Sequence, residues 1–267
     1  MSEEKVSLSK NQPAPGDKGF VVPAASVPLP SMGLIYPSDS PLAGKEFVEI
    51  KAMTALEEDI LTSQGLLKNG TVLDVLMKAC LIDRSIDVST MIAGDKNAIL
   101  TAIRITGYGQ EYVIEVECPC CGKKSNYEFD LAQIPVKRLG VLPKIPNTNE
   151  FYFQLPVSKA QITFKLLTGA DEKDLSAMLS KLKKLGNEGL VTARLTYQLL
   201  SINGETDRSK ISQLVRSIPA RDSKELRKHI EKISPGVDMK QLFKCPFCTE
   251  ESEVDVPMTT EFFWPSA

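Results

Sequence analysis

Two cysteine turns, Cys118-Pro119-Cys120-Cys121 and Cys245-Pro246-Phe247-Cys248, constrain this chain more than anything else in it. Each leaves two residues between a pair of thiols, the spacing that lets one tight turn aim both sulfurs at a single tetrahedral ion. From Cys121 to Cys245 there are 123 intervening residues. A shared ion would therefore close a long excursion of the chain. Closure cost grows slowly, by about 0.6 kcal/mol per doubling of loop length. Structural zinc supplies roughly 10–16 kcal/mol in small zinc-binding peptides, so the metal can offset it.

The expected ligands are Cys118, Cys121, Cys245 and Cys248, and the expected cofactor is a structural Zn2+ ion. Iron is the alternative at a four-thiolate site. Cys120 is read as a spectator, because adjacent ligands fit one turn poorly. Gly122 suits the positive φ of such a turn. Lys123, Lys124 and Lys244 offset part of the negative charge of four thiolates. Cys80 falls on the apolar face of a helix and is expected to be a buried thiol. A disulfide framework is the weaker reading, since the Met1–Gly19 segment has no apolar signal and the expected compartment is the reducing cytoplasm.

The cysteine turns lie beside alternating segments. Tyr112, Ile114 and Val116 alternate with Glu111, Glu115 and Glu117, and Tyr127, Phe129 and Leu131 alternate after the first turn. Ser252–Val256 does so after the second. The spacing predicts one zinc ribbon made from about 111–131 and 243–256. Around it, Thr54 with Glu57 predicts a capped helix, 71–83 a second, and Asp95 the cap of a third. Phe151–Val157 and Gln161–Leu167 read as a strand pair. Asp171–Leu185, Gly189–Leu200, Arg208–Ile218 and Asp222–Ile233 read as helices, with Asp222 and Glu225 as a second capping box.

The fold class is thus α+β: a zinc-ribbon-like β unit, a helical N-terminal block and an inserted, mostly helical unit. The boundaries are 1–31 as a flexible Pro/Ser-rich arm, 32–131 plus 243–267 as the helical block and ribbon, and 132–242 as the insertion, beginning with a proline-rich linker over 132–150.

Catalytic equipment is missing from this reading. Four thiolates leave a metal no open position for water. The single histidine, His229, sits among charges and is expected to be solvated. No phosphate-binding glycine fingerprint occurs, and no small-molecule substrate is expected. No apolar run is long enough to cross a bilayer. The net charge of -2 argues against an electrostatic partner for the whole chain, although residues 132–244 carry 20 Lys or Arg against 11 Asp or Glu. A zinc-ribbon nucleic-acid-binding regulator is the alternative function this surplus suggests. No aromatic residues interleave with the bases to stack on nucleobases. The closing Phe262-Phe263-Trp264-Pro265 is either packed back on the ribbon or an anchor in a neighbour.

Several segments resemble, in order, the T4-like bacteriophage baseplate proteins of the hub-subunit or hub-assembly type. They are Leu29-Pro30-Ser31-Met32-Gly33-Leu34-Ile35-Tyr36-Pro37, Asp95 to Arg104, Gly107-Tyr108-Gly109-Gln110-Glu111-Tyr112 and Cys118 to Gly122. They continue through Pro219-Ala220-Arg221-Asp222-Ser223, Ser234-Pro235-Gly236-Val237-Asp238, the pair Cys245 and Cys248, and the Phe-Phe-Trp-Pro tail. The second turn departs from a Cys-Pro-x-Cys-Gly pattern by carrying Thr249. The resemblance implies a non-enzymatic component of a contractile phage tail, in the baseplate or central hub or assisting its assembly. Its implied partners are other phage tail and baseplate proteins, and its implied location is the virion baseplate after synthesis in the host cytoplasm.

Overall fold

Alternating apolar residues near the start of the chain build a sheet. The computed structural model describes residues 9–11, 22–184, 189–258 and 260–263. Strands β1 (Ser9–Asn11), β2 (Ala24–Pro28) and β3 (Phe47–Lys51) pair antiparallel in the order β1-β2-β3. Ala25, Val27, Val48 and Ile50 fill its inner face. The arm expected at 1–31 is corrected over 22–31, where the chain is a strand and a buried turn. Ala25, Val27 and Leu29 alternate beneath the proline-rich composition that suggested an arm. Apart from β1, the rest of that segment lies outside the described residues.

Helices α1 (Ala55–Thr62), α2 (Gln64–Asn69) and α3 (Val72–Cys80) follow. The capping box at Thr54 and Glu57 is present: the Glu57 carboxylate accepts the Thr54 N–H at 3.0 Å and its hydroxyl at 2.6 Å. Cys80 is buried in the core, and burial pushes its thiol up to about 12.

Helix α4 (Ala93–Tyr108) runs through the middle of the protein, with eight buried residues including Asp95 and Arg104. Asp95 does not cap it. The N-cap is Ile92, and the Asp95 carboxylate lies in the first turn, fully buried. It accepts the Ser31 N–H at 2.9 Å, the Ser31 hydroxyl at 2.5 Å and the Tyr36 hydroxyl at 2.6 Å. The Tyr36 oxygen in turn accepts the Ile92 N–H at 3.2 Å. A carboxylate suits a helix N-terminus, but here it is spent on the 31–36 turn. Gly94 is required beside it, because a Cβ there would lie 1.9 Å from the Pro235 carbonyl oxygen.

Hairpin β4 (Glu111–Glu117) and β5 (Lys124–Asp130) leaves the end of α4. The expected linker contains β6 (Val136–Lys137), which pairs with the later β10 (Gly236–Val237). Strands β7 (Phe151–Gln154) and β8 (Gln161–Phe164) form the expected pair. Helix α5 spans Gly169–Lys184 and α6 spans Leu190–Gln198. The helix expected to run to Leu200 instead gives way to β9 (Leu199–Ile202), the third strand of the β7-β8-β9 sheet. Its apolar run is followed by Asn203-Gly204, a turn signal that ends a strand more naturally than a helix.

Helices α7 (Arg208–Ser217) and α8 (Ala220–Ile233) follow. Asp222 is a correction of the same kind as Asp95. Helix α8 starts after Pro219, and the buried Asp222 carboxylate accepts the N–H groups of Val157 at 2.7 Å and Ser158 at 2.9 Å. It ties α8 to the β7–β8 turn. Strands β11 (Lys240–Lys244) and β12 (Glu251–Asp255) form the last hairpin, and a 3-10 turn covers Thr260–Phe263. The fold is mixed α+β with small antiparallel sheets, and one hydrophobic cluster extends from Ala25 to Phe263. Among the described residues no helix is long and apolar enough to cross a membrane.

Two outcomes follow for this core. Asp95→Ala orphans three buried donors at once and should lose about 3 kcal/mol or more of stability in denaturant titration. Burial holds the Asp95 carboxyl above the usual range, against the opposing hydrogen bonds from Ser31 and Tyr36. The folded protein thus favours the protonated form, and the group's contribution is full in acid and declines as pH rises through its folded value. The margin of the wild type over Asp95→Asn should shrink as pH climbs past the ordinary carboxylate range. An equal margin at every pH would contradict this.

Candidate metal centre

Each cysteine turn is built by its own backbone. In the first, the Cys118 N–H donates to the Lys123 carbonyl at 2.9 Å and the Gly122 N–H to the Cys118 carbonyl at 2.9 Å. In the second, the Cys245 N–H donates to the Glu250 carbonyl at 3.0 Å and the Thr249 N–H to the Cys245 carbonyl at 2.9 Å. Gly122 has φ +68° and Thr249, at the equivalent position, +60°. The substitution of threonine therefore leaves the turn intact, in a left-handed conformation that β-branched residues rarely adopt. The Phe247 N–H also points at the Cys245 sulfur, 3.4 Å away.

The two turns face each other. Cys118 Sγ lies 3.7 Å from Cys248 Sγ, and Cys121 Sγ lies 3.7 Å from Cys245 Sγ. All four sulfurs fall within 4.8 Å of one another. A tetrahedron of bonds of roughly 2.3 Å has edges of about 3.8 Å. The sulfurs thus stand close to the separation that one tetrahedral thiolate-bound ion needs, and too far apart for a disulfide, whose S–S bond is about 2.05 Å. Cys118 and Cys245 are buried, Cys248 is half-buried and Cys121 is exposed, so the centre is sunk on one side and open on the other.

Without a cation Cys245 and Cys248 are electrostatically unequal. Burial opposes ionisation of Cys245, but the N–H groups of Cys248 and Phe247 and the thiols of Cys248 and Cys118 outweigh it and bring it to about 6. The Glu250 N–H favours the Cys248 thiolate, yet burial and its hydrogen bonds to the other three sulfurs push that thiol to about 12. The Cys245 thiolate is stabilised at the expense of Cys248, a conflict that a divalent cation bound to both would resolve.

The two hairpins share no ladder. β4–β5 and β11–β12 are separate two-stranded sheets, so the single ribbon expected from the sequence is corrected to two facing hairpins. They touch through the Tyr127 and Phe243 rings, 5.0 Å apart and edge-on. At the far end, a single buried guanidinium holds both. Arg104 Nη2 donates to the Glu111 carbonyl at 3.0 Å, Nη1 to the Gly109 carbonyl at 2.7 Å and Nε to the Phe262 carbonyl at 2.9 Å. Glu111 begins the first hairpin, and Phe262 follows the second.

The remaining expectations divide. Cys120 is exposed and outside the four-sulfur cluster. His229 is corrected: it is half-buried, stacked on Phe153 with centroids 4.4 Å apart, and burial lowers its pKa. Lys232, one turn on, adds to the effect of burial. Phe262 and Phe263 are fully buried within this chain, with Phe262 against Tyr112 at 4.9 Å. That favours packing back over anchoring for these two rings; Trp264 and Pro265 lie outside the described residues. Arg104 was overlooked as a site-forming residue, although a lone arginine on the apolar side of a predicted helix is a signal of a buried cation.

A family model described as T4 bacteriophage base plate protein matches residues 38–264 of the chain. No curated protein and no solved structure matches it.

Thr249→Gly should relieve the left-handed strain of the second turn and raise stability by about 1 kcal/mol. Gly122→Thr should cost a similar amount at the first. Denaturant midpoints of the two variants, measured under identical metal loading, would move in the same direction if the turns were not equivalent.

Proposed function

The chain belongs to the T4 bacteriophage base plate protein family, and on that premise we propose that it is a structural or assembly component of a contractile phage tail baseplate, in its hub region. The family match carries this reading. Its partners are other tail and baseplate proteins, its place of action is the virion tail, and its role is non-enzymatic. The charged helix α8 and the open side of the cysteine centre offer surfaces for such contacts.

The same proposal assigns Cys118, Cys121, Cys245 and Cys248 as ligands of one structural zinc ion. The convergence of four sulfurs within 4.8 Å supports it. In this reading residues 132–242 are an insertion between the two cysteine hairpins. The zinc joins the hairpin tips, and its shell of four thiolates leaves no position for substrate or water.

Two measurements test these assignments. Elemental analysis of the native protein should find one zinc per chain. Cys118→Ser, Cys121→Ser, Cys245→Ser and Cys248→Ser should each lose it and lower the thermal midpoint, while Cys120→Ser should keep it. Metal-free native protein, or visible thiolate-to-iron absorption, would remove zinc from the account. Phage tails assembled with a tagged copy should carry the chain, or bind it at an intermediate stage. Normal baseplate assembly in a phage lacking the gene would refute the role.

A further inference from the structure

Two surfaces of this protein match each other in length and oppose each other in charge. The outer face of the β4–β5 hairpin presents Glu111, Glu115 and Glu117 from one strand and Glu128 from the other, around the exposed Val113. Lys124 is the one base on that face, and it pairs with Glu115 at 2.9 Å. The exposed face of α8 presents Arg221, Lys224, Lys228 and Lys232 at helical spacing, with Arg227 beside them. Glu231 is exposed there too, and Glu225 lies 3.6 Å from Lys228. The opposite side of α8, with Asp222, Leu226, Ile230 and Ile233, is buried.

Seven residues of β4 extend about 24 Å at roughly 3.4 Å each. The fourteen residues of α8 extend about 21 Å at 1.5 Å each. Outward side chains repeat every ~7 Å along the strand and every ~5–6 Å along the helix stripe. A helix can therefore lie along this hairpin with its bases over the carboxylates.

We propose that the outer face of β4–β5 in one copy docks against the exposed face of α8 in a second copy. Because the contact joins two unlike surfaces, it can close reciprocally in a two-fold dimer or run head to tail through a ring or chain of copies. Complementary charge steers such an encounter and fixes its register. A second copy is a better occupant of α8 than nucleic acid. The chain's own acidic hairpins repel a polyanion, and no exposed aromatic residue lies along the helix stripe for base stacking. The inference stands apart from the zinc assignment and from the tail role, since it concerns only two surfaces of the folded chain.

A charge swap tests it on the full, metal-loaded chain. By sedimentation velocity at 50 mM salt, the wild type should show species of two or more 29.4 kDa copies that return to monomer at 500 mM. A basic-hairpin variant, Glu111→Lys with Glu115→Lys and Glu128→Lys, should be monomeric at both. An acidic-helix variant, Lys224→Glu with Arg227→Glu and Lys228→Glu, should be monomeric as well. Mixed together, the two variants should associate again, because each then carries the complement of the other. A monomeric wild type at low salt, self-association that survives both variants, or a mixture that stays monomeric overturns the proposal. So does salt-dependent binding of a fluorescent oligonucleotide to the wild type that the acidic-helix variant abolishes while self-association is absent.

Discussion

A single buried helix carrying a buried carboxyl in its first turn and a buried guanidinium further along organises this protein. Neither Asp95 nor Arg104 of α4 reaches solvent, so each must find its partners inside the fold. Asp95 takes its partners from the 31–36 turn, and Arg104 takes carbonyls from Gly109, Glu111 and Phe262. Asp95 lies in the first turn of the helix, and Arg104 reaches the carbonyl of Gly109 just past its end. The early part of the chain and its last described residues are thereby tied to one rod. Gly94 then lets the Ser234–Gly236 segment approach the helix directly, where any side chain would collide.

This arrangement gives physical content to the likeness with baseplate proteins. The short segments singled out in the sequence include Ser31 and Tyr36, which precede the matched residues 38–264, and, within them, the run from Asp95 to Arg104, Gly109 to Tyr112, the Asp222 segment, Ser234-Pro235-Gly236 and Phe262. In the structure these are the two ends of the Asp95 network, the three carbonyls that accept from Arg104, the clamp on the β7–β8 turn and the contact at Gly94. These short segments therefore meet through buried polar interactions between distant parts of the chain. Such groups tolerate few replacements, because an unpaired buried donor or charge costs more than a lost apolar contact.

The local elements were legible in the sequence wherever one periodicity dominated. The Thr54–Glu57 box, α3, the β4–β5 alternation and the four cysteine ligand candidates all depend on neighbours within a few residues. Long-range pairing was not legible. An acidic residue in the first turn of a helix looks the same whether it caps that helix or reaches another segment, so Asp95 and Asp222 were read as caps and proved to be clamps. His229 looked solvated because its sequence neighbours are charged, while its ring lies over Phe153. Composition misled at 22–31, where prolines concealed three alternating apolar residues. Leu199–Ile202 was absorbed into a helix because a short apolar run carries no decisive period of its own.

The position of Arg104 also changes what a metal at the cysteine centre has to do. Taken along the chain, a metal joining Cys121 to Cys245 closes a gap of 123 residues. In the folded protein most of that closure is already accomplished at the hairpin roots, because one guanidinium holds the start of the first hairpin and the segment after the second. What remains free is the splay of two hairpins whose strands run about 24 Å in the first, over seven residues, and about 17 Å in the second, over five, at roughly 3.4 Å per residue. Tyr127 against Phe243 resists that splay only along the sides. An ion among the four sulfurs would act at the tips, where the lever arm is longest and where Lys123 lies 5.0 Å from the Phe247 ring. Its effect would therefore be to fix the relative orientation of two hairpins more than to hold together the ends of a long loop.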